Sequence, residues 1–269
     1  MINYQRCVGE IVLNILVDEA IYFEEKNVFD SLFRTYDISK TQSSSNNIYY
    51  YIYGKSASRT LSGNDYTVCD IEDDGWVFQL IKDLEGLYAA VLKCTVLHGS
   101  SIKIHNKNIL LMGERWSGKT TLTHYFACNK NGKYLDDDCV YIINDLYIGF
   151  CNPIPMRNTS NSENNDNIIC ETIDNDGVMR TLYRAPRVVK SFSKIDVVLF
   201  PKYVHKSKSY IKELDHASAF KNIIQNIRSY GKMKSMFADI NRLSLSAKCY
   251  ELEYSSSEEA YQILCRSVI

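Results

Sequence analysis

The chain has 269 residues with 45% hydrophobic and 12% aromatic content, and its 31 Lys and Arg nearly balance 32 Asp and Glu, for a formal charge of −1. This composition supplies a sizeable core in one large domain or two modest ones, and it excludes a generally basic nucleic-acid-binding protein and an acidic disordered chain. No apolar run reaches the roughly 18 residues of a membrane span, and the first residues do not have the pattern of a signal peptide. The nine cysteines are scattered and have no CxxC spacing, which argues against a disulfide framework or a zinc site and favours a cytoplasmic location.

Residues 1–95 are predicted to form a small α+β region that leans towards strands. The aromatic run Ile48–Tyr53 consists of residues that favour strands. After the turn signal Asp73–Gly75, apolar residues recur at helical spacing from Trp76 onwards. From this periodicity we predict a helix over about 80–97.

Residues 96–269 are predicted to form a second domain, which begins with a β-hairpin. Ser100–Ile104 and Asn108–Met112 are two short β-type runs joined by polar residues. A glycine-containing loop follows the second run, and helical periodicity begins at Thr121. Cys139–Ile143 is then predicted to be a strand.

The last third of the chain carries four further patterns. Residues 158–176 are rich in Asn, Ser, Asp and Glu, and they are predicted to be a mobile insertion, with an acceptor-gating lid as the alternative. Ile195–Phe200 is predicted to be a buried strand that the following proline ends. Residues 215–230 have the apolar spacing of a helix, and Ser256 with Glu259 has the form of a capping box for a terminal helix.

One segment carries a phosphate-binding motif. Its sequence, GERWSGKT, matches the P-loop pattern GxxxxGK[ST]. Glycines let backbone N–H groups turn towards phosphate oxygens, the lysine supplies a charge for the β- and γ-phosphates, and the threonine hydroxyl can ligate Mg²⁺. The helix that begins near the second glycine points the positive end of its dipole at the same anion. The motif therefore predicts nucleotide binding by Gly113, Glu114, Arg115, Trp116, Ser117, Gly118, Lys119, Thr120 and Thr121.

Three consecutive carboxylates, Asp136–Asp138, precede the predicted strand Cys139–Ile143. A phosphoryl-transfer site needs one carboxylate for Mg²⁺ and a second one near the acceptor hydroxyl, as base or orienter. After a P-loop motif, the triplet predicts this second part of the site, with a solvated turn as the alternative. His98 comes directly before the hairpin, and a purely structural histidine is the alternative to a functional one.

The order of these residues resembles the catalytic domain of HPr kinase/phosphorylase, which belongs to the wider PEP-carboxykinase-like fold. His98–Gly99, the hairpin, the P-loop motif and then Asp137–Asp138 with Val140 follow one another as in that family. The resemblance covers residues His98 to Val140, and a weaker similarity continues to about residue 200. It implies an α/β fold in which a mixed sheet surrounds a P-loop core, preceded by the small β-leaning N-terminal region.

The sequence departs from that family in two places. Arg115 and Trp116 stand where the family's loop has a small residue and a glycine, and the family's later glycine-rich signature has no clear counterpart. The segment Asn152–Arg157 is instead similar to HPr-kinase-related proteins of peptide natural-product pathways, including the lasso-peptide serine kinases. The chain is therefore expected to act on an acceptor other than HPr.

The resemblance implies roles for individual residues. Asp137 matches the general base towards a serine hydroxyl, and Asp138 matches its partner at the metal, beside Thr120. Lys119 is the phosphate-binding lysine, and His98 lies close to the phosphates in the family.

Further cations and one aromatic residue remain candidates for the same site. Arg157 would stabilise charge on the transferred phosphoryl group, with a surface arginine as the alternative. Arg184 and Arg187 are further candidates for that contact, and the sequence does not choose among the three. Trp116 either stacks on a base or packs locally. A basic run would dock an acidic peptide or form a solvated face; it consists of Lys202, His205, Lys206, Lys208 and Lys212.

Together these observations predict a kinase that uses ATP and Mg²⁺ and transfers the γ-phosphoryl group to a hydroxyl of a peptide or protein. The acceptor is expected to be serine, for example on a ribosomal natural-product precursor. A non-catalytic nucleotide-binding regulator and a kinase for a small molecule such as free serine are the alternatives. No nucleic-acid partner is expected, and a homo-oligomer is left open.

Overall fold

A computed structural model of the chain describes residues 1–8, 11–34, 37–38, 47–53, 56–61, 64–70, 73–143, 145–157, 166–228 and 233–269. These residues form a mixed α/β fold with seven helices and eighteen strands. No disulfide joins the cysteines whose side chains are described. Within the described ranges, no helix combines the length and the apolar character that crossing a bilayer requires.

The first part of the chain forms a strand-rich segment that ends in a long helix. It contains β1 (Ile2–Val8), β2 (Ile11–Val17), α1 (Glu19–Glu24), α2 (Lys26–Leu32), β3 (Asp37–Ile38), β4 (Asn47–Tyr53), β5 (Ser56–Leu61), β6 (Asn64–Asp70) and α3 (Trp76–Leu92). The middle part contains β7 (Thr95–Ile104), β8 (Lys107–Met112), α4 (Lys119–Asn129), β9 (Lys133–Asp136), β10 (Cys139–Ile143), β11 (Leu146–Ile148), β12 (Ile154–Arg157), β13 (Ile168–Ile173) and β14 (Met179–Tyr183). The last part contains β15 (Ser191–Phe192), β16 (Val197–Tyr203), β17 (Tyr210–Glu213), α5 (His216–Ile224), α6 (Met233–Ser246), β18 (Lys248–Tyr254) and α7 (Ser257–Ser267).

The chain divides into two compact units. Met1–Glu85 and Arg157–Arg184 form the N-terminal unit, and Gly86–Met156 and Ala185–Ile269 form the C-terminal unit. The sequence predicts the boundary near residue 95 and does not separate residues 157–184 from their surroundings. Helix α3 runs without interruption across residue 85, so no change in composition marks the boundary there.

The N-terminal unit contains a six-stranded sheet in the order β3-β1-β2-β4-β5-β6. Its strands pair antiparallel except for β2 and β4, which run parallel. The hairpin β13–β14 also belongs to this unit. Within the unit, the Arg184 guanidinium at the end of β14 donates to Asn27 and to Ser31 of α2. These bonds connect residues 157–184 to the first part of the chain.

The C-terminal unit is built on a nine-stranded mixed sheet in the order β15-β11-β10-β7-β8-β16-β18-β17, with β9 also paired to β7. Its centre is a parallel trio, because β16 pairs parallel with both β8 and β18. Side chains of this trio pack against α5 and α6. The buried cluster includes Leu110, Met112, Val198, Ile223 and Ile240.

Several sequence-based elements are confirmed. The aromatic run is strand β4, and the two runs after residue 95 form the antiparallel hairpin β7–β8. Helix α4 follows the glycine-containing loop, and β10 has the predicted bounds. The terminal helix α7 is capped by Ser256, whose Oγ accepts a hydrogen bond from Glu259 N at 3.2 Å.

Other elements differ from their predictions. The helix predicted over 80–97 spans Trp76–Leu92, because β7 already begins at Thr95. Strand β16 continues past Pro201 to Tyr203, since its pairing with β8 ends at Leu199 and the missing proline N–H is not needed in that ladder.

Two predicted segments near the end of the chain also differ. The helix predicted over 215–230 ends at Ile224, and Ile227 forms a bridge with Leu97. The mobile insertion predicted over 158–176 is wrong for its second half, where β13 pairs with β14. Residues 158–165 lie outside the described residues.

Buried thiols make the stability of the C-terminal unit sensitive to alkaline pH. Burial raises the pKa of the Cys249 thiol to about 11 and that of Cys94 to about 12. A raised pKa means that the unfolded chain loses its thiol proton at lower pH than the folded chain does. The stabilising contribution is therefore fully present below about pH 9 and is lost as the pH rises through 11.

We expect Cys249→Ala to reduce this alkaline loss of stability. Urea denaturation of wild type between pH 8 and 11 should show a falling free energy of unfolding, and the variant should lose about 2 kcal/mol less over the same range. Equal slopes for the two proteins would contradict the prediction.

Candidate functional site

The loop Gly113–Gly118 connects the end of β8 to the start of α4. Both of its glycines have positive φ, +149° at Gly113 and +95° at Gly118. A Cβ atom at Gly118 would overlap the hydroxyl of Tyr254, which itself donates to Gly118 O at 3.3 Å. The backbone can therefore take this path only with glycine at position 118.

We expect Gly118→Ala to lower the free energy of unfolding by about 3 kcal/mol, since it adds both backbone strain and a steric overlap. Gly86 provides a matched control inside α3, because a Cβ there would meet nothing within 4 Å. Gly86→Ala should be neutral or stabilising by about 0.5–1 kcal/mol. Urea denaturation measures both changes, and similar values for the two variants would contradict the argument.

Lys119 begins α4 and folds back over the loop that precedes it. Lys119 is only 9% exposed to solvent. Its Nζ donates hydrogen bonds to Gly113 O at 2.8 Å and to Glu114 O at 3.0 Å. Burial lowers the pKa of the amine, and the nearby Asp137 and Asp138 carboxylates oppose that shift. A cation held by two carbonyl oxygens can exchange these partners for the stronger charge-assisted bonds of phosphate oxygens.

The acidic triplet lies at a break in a strand ladder. Strands β9 and β10 both pair antiparallel with β7, and β9 ends at Asp136 while β10 begins at Cys139. The two residues between them are outside the ladder, and Asp138 has a positive φ of +81°. Such bulges redirect side chains, and here the break directs two carboxylates out of the strand.

The three carboxylates have different environments. Asp136 is fully buried and accepts from the backbone N–H groups of Asp137, at 2.9 Å, and Phe150, at 2.5 Å. Asp137 is 4% exposed and accepts from the Ser100 hydroxyl and, at 2.9 Å, from the Thr120 hydroxyl. The solvated-turn alternative is therefore wrong for both residues. Asp136 is a structural carboxylate that holds the break in place.

Asp138 is the most exposed of the three carboxylates, at 23%. Its Oδ1 lies 2.8 Å from His98 Nδ1, and its Oδ2 lies 3.3 Å from an Arg228 guanidinium nitrogen. The backbone carbonyl of Asp138 also accepts from Gly99 N at 3.3 Å. A partly exposed carboxylate, held on two sides, is thus available beside the loop.

A segment after α5 connects the loop to β7. Asn226 Oδ1 accepts from Gly113 N at 3.1 Å, and Asn226 O accepts from His98 N at 2.8 Å. Two residues later, Arg228 N donates to Val96 O at 2.9 Å, which fixes the arginine next to Asp138. The segment therefore positions both the first glycine of the loop and the ion pair.

Ser100, Asn226 and Arg228 contact the site and were not predicted from the sequence. Ser100 looked like one more polar residue in a strand, although its two-residue spacing from His98 places both side chains on one face of β7. Arg228 is 90 positions from its partner Asp138, and no motif connects them.

The predicted residues of the loop divide by exposure. Glu114, Arg115 and Trp116 are exposed, whereas Lys119 is buried. Thr121 is exposed on the first turn of α4. The structure thus brings Lys119 and Thr120 together with Asp137 and Asp138, and it leaves the side chains of Glu114, Arg115 and Trp116 exposed.

The three arginines predicted to reach phosphate have different positions. Arg157 is half-buried at the end of β12 and belongs to the N-terminal unit, so its predicted role stays a prediction. The Arg184 guanidinium is held by Asn27 and Ser31. Arg187 is exposed in the C-terminal unit, where its carbonyl accepts from the backbone of β9. The basic run Lys202–Lys212 is also exposed, and its docking role stays a prediction.

The residues present fit Mg²⁺. Thr120 Oγ1 and Asp137 Oδ2 lie 2.9 Å apart, and two neighbouring ligands of an Mg²⁺ octahedron are separated by about 2.9 Å. In the described part of the chain, no group of three or more His, Cys, Asp or Glu forms a protein-only metal cage. Mg²⁺ commonly binds one or two protein oxygens together with phosphates and water, which is the donor set available at this site.

Comparisons with protein-family models and with curated proteins give no match. Among solved structures, the chain is similar to the Hpr(Ser) kinase/phosphatase from Coxiella burnetii, at 12% sequence identity. The match covers 64% of this chain and 93% of that one, with a TM-score of 0.31. A likeness at this level establishes neither a common fold nor a common activity. The function of this chain must therefore be inferred from the contacts of its own residues.

Proposed function

We propose that the protein is a kinase that binds ATP with Mg²⁺ at the loop Gly113–Thr120 and transfers the γ-phosphoryl group to a hydroxyl. The expected acceptor is serine on a peptide or protein. The observation that carries the proposal is the hydrogen bond between Thr120 and Asp137, because it joins the phosphate-binding motif to the acidic pair. A phosphoryl-transfer site requires these two parts to meet.

Phosphate binding is assigned to the loop and the first turn of α4. The orphan N–H groups at the start of a helix, together with its dipole, favour an anion at this position. Lys119 exchanges its two carbonyl partners for phosphate oxygens. Because the lysine is buried and fixed by its position on α4, its charge needs little reorganisation to meet the triphosphate.

Thr120 and Asp137 are proposed to hold Mg²⁺ through the two oxygens that now share a hydrogen bond. When bound, the ion neutralises phosphate charge and orients the β- and γ-oxygens. Ser100 donates to the other oxygen of Asp137, so this carboxylate has partners on both sides and is fixed in orientation. This assignment differs from the one that the family resemblance implies, in which Asp138 is the metal partner.

Asp138 is proposed to receive or orient the proton of the attacking hydroxyl. It is more exposed than Asp137, and it can therefore be reached by an acceptor. His98 and Arg228 hold its two oxygens and keep the carboxylate in one orientation. Arg228 also supplies positive charge near the phosphoryl group, the role that the sequence analysis gave to Arg157.

Transfer of labelled phosphate tests the proposal. The purified protein is incubated with γ-³²P-ATP and Mg²⁺ together with a library of serine-containing peptides or with free serine. We expect acid-stable label on a hydroxyl acceptor and no transfer after EDTA treatment. Label on free serine alone would favour the small-molecule kinase. Binding of ATP without transfer to any acceptor would favour the nucleotide-binding regulator and overturn the kinase.

A further inference from the structure

A cavity of about 460 Å³ lies beside the phosphate-binding loop. Four segments of the C-terminal unit line it. They are Glu114–Ser117, Phe200–Tyr203, Tyr210 and Glu251–Glu253.

The cavity lies at the carboxyl ends of the three parallel strands. Glu114–Ser117 follow β8, Phe200–Tyr203 end β16, and Glu251–Glu253 are close to the end of β18. In α/β sheets with parallel strands, ligands bind in the crevice outside these carboxyl ends. The cavity and the loop therefore belong to the same ligand-binding edge of the sheet.

Trp116, in the wall of the cavity, combines a strained backbone conformation with an exposed side chain. Its φ is +72°, a conformation that is strained for a bulky side chain and unstrained for glycine. Its side chain is also 71% exposed, so the strain is not offset by burial. Backbone strain of this kind clusters at active and ligand-binding sites, and an exposed indole offers a flat surface for stacking.

Two tyrosines extend this aromatic surface. Tyr203 and Tyr210 are 48% and 49% exposed. Tyr203 N donates to Ser117 O at 3.2 Å, and its ring contacts Tyr254 edge-to-face with centroids 5.7 Å apart. Tyr203 is thus hydrogen-bonded to the loop itself, which fixes its backbone relative to the phosphate site.

The remaining polar side chains favour hydrogen-bond donors over phosphate. In the strand register, Lys202 and Tyr210 flank Glu253, whose carboxylate lies 3.7 Å from Lys202 Nζ and accepts from Ser207 at 2.8 Å. Glu114 and Glu251 are also in the lining, so three carboxylates face two cations. Carboxylates accept bonds from ribose hydroxyls and amino groups, and they repel phosphate.

We propose that this cavity binds the nucleoside part of the triphosphate, with a purine base stacked on Trp116 and the ribose hydroxyls donating to Glu251 or Glu253. This inference rests on the proposed function, because the triphosphate in the loop brings the nucleoside to the cavity. It gives Trp116 the stacking role that the sequence left undecided.

Inorganic tripolyphosphate separates the two parts of the ligand. Titration calorimetry in Mg²⁺ compares tripolyphosphate with ATP, GTP and UTP on the wild-type protein. We expect the purine nucleotides to bind at least about tenfold more tightly than tripolyphosphate, because stacking on an aromatic side chain contributes at that level. UTP should lie between them.

Trp116→Gly is the decisive variant, since it removes the indole and relieves the backbone strain at position 116. It should lose most of the preference for ATP over tripolyphosphate, should keep the wild-type affinity for tripolyphosphate, and should melt no lower than wild type. Trp116→Phe should retain part of the preference for ATP. Phe237→Ala removes an exposed aromatic of α6 outside the cavity and should change neither affinity.

The outcomes distinguish this inference from the proposed function. Equal affinities of wild type for ATP and tripolyphosphate, or a Trp116→Gly variant whose preference for ATP is as large as that of wild type, would overturn the nucleoside site and leave the phosphate site standing. A wild-type protein that binds neither ligand would overturn the proposed function and the nucleoside site together.

Discussion

Replacing Lys119 by methionine is expected to weaken the binding of MgATP and of inorganic tripolyphosphate at least about a hundredfold. The lysine is the buried cation of the loop, and its two present partners are carbonyl oxygens that a phosphate replaces. Loss of a buried charge-assisted contact costs about 3 kcal/mol, which corresponds to this factor. Methionine is an unbranched side chain one atom shorter than lysine, and it cannot supply the charge.

The same substitution should not unfold the protein. Burial lowers the pKa of Lys119, so folding disfavours its charged form, and an uncharged side chain removes this cost, which offsets the loss of the two hydrogen bonds to Gly113 O and Glu114 O. We therefore expect an unchanged or raised melting temperature together with the lost affinity.

Lys130 provides the matched control for the lysine substitution. It lies at the other end of α4, where it is half-buried and forms an ion pair with Glu258 at 2.8 Å. Lys130→Met should leave both affinities within about twofold, since this lysine lies at the end of α4 opposite the loop. Calorimetric titration of the three proteins measures these affinities, and a Lys119→Met variant with wild-type affinity would refute a phosphate role for the loop.

The substitution Asp138→Asn is expected to reduce the rate of phosphoryl transfer about a thousandfold and to leave the affinity for MgATP unchanged. Asn has the shape of Asp and cannot take up a proton, and general-base catalysis contributes about 10²–10⁴ in rate. The effect should appear in kcat and not in the dissociation constant.

Asparagine at position 137 is expected to act on the metal instead. Asp137→Asn removes a negative charge beside Thr120, so the Mg²⁺ concentration needed for half-maximal ATP binding should rise at least about tenfold. The two neighbouring carboxylates thus serve as controls for each other.

The family resemblance predicts the reverse result for the acidic pair. If Asp137→Asn keeps its Mg²⁺ dependence and loses transfer while Asp138→Asn binds Mg²⁺ poorly, the roles proposed from the contacts are wrong and the roles implied by the resemblance hold. Mg²⁺ titrations monitored by ATP binding, combined with single-turnover transfer rates, separate the two assignments.

Features that depend on neighbouring residues could be predicted from the sequence. The hairpin β7–β8, the loop that follows it and strand β10 are each encoded by side chains a few positions apart. The glycine at position 118 is likewise predicted by the motif, although the overlap of a Cβ atom with the distant Tyr254 appears only in the fold. These predictions succeeded because short-range periodicity and turn chemistry determine the local structure.

Features that depend on distant residues could not be predicted in this way. Asn226 and Arg228 are brought to the site by the β-bridge between Ile227 and Leu97 of β7. No spacing in the sequence predicts this bridge. In the sequence, Asp136–Asp138 form a single cluster. Only the break between β9 and β10 shows that one carboxylate is buried in the backbone network, the next contacts Thr120, and the last faces His98.

The position of Lys119 has a consequence for selectivity among anions. A lysine that already donates to two main-chain oxygens has one of its three N–H groups left for an incoming ion, so an ion that pulls the amine away from the loop must compensate for the two bonds that are lost. Chloride and other monovalent ions offer a single charge and few acceptor sites, so they do not compensate for that loss. A polyphosphate chain can replace both bonds and can also accept hydrogen bonds from the backbone N–H groups of the loop. The protein without ligand therefore favours polyphosphates over the monovalent anions that are most abundant in solution.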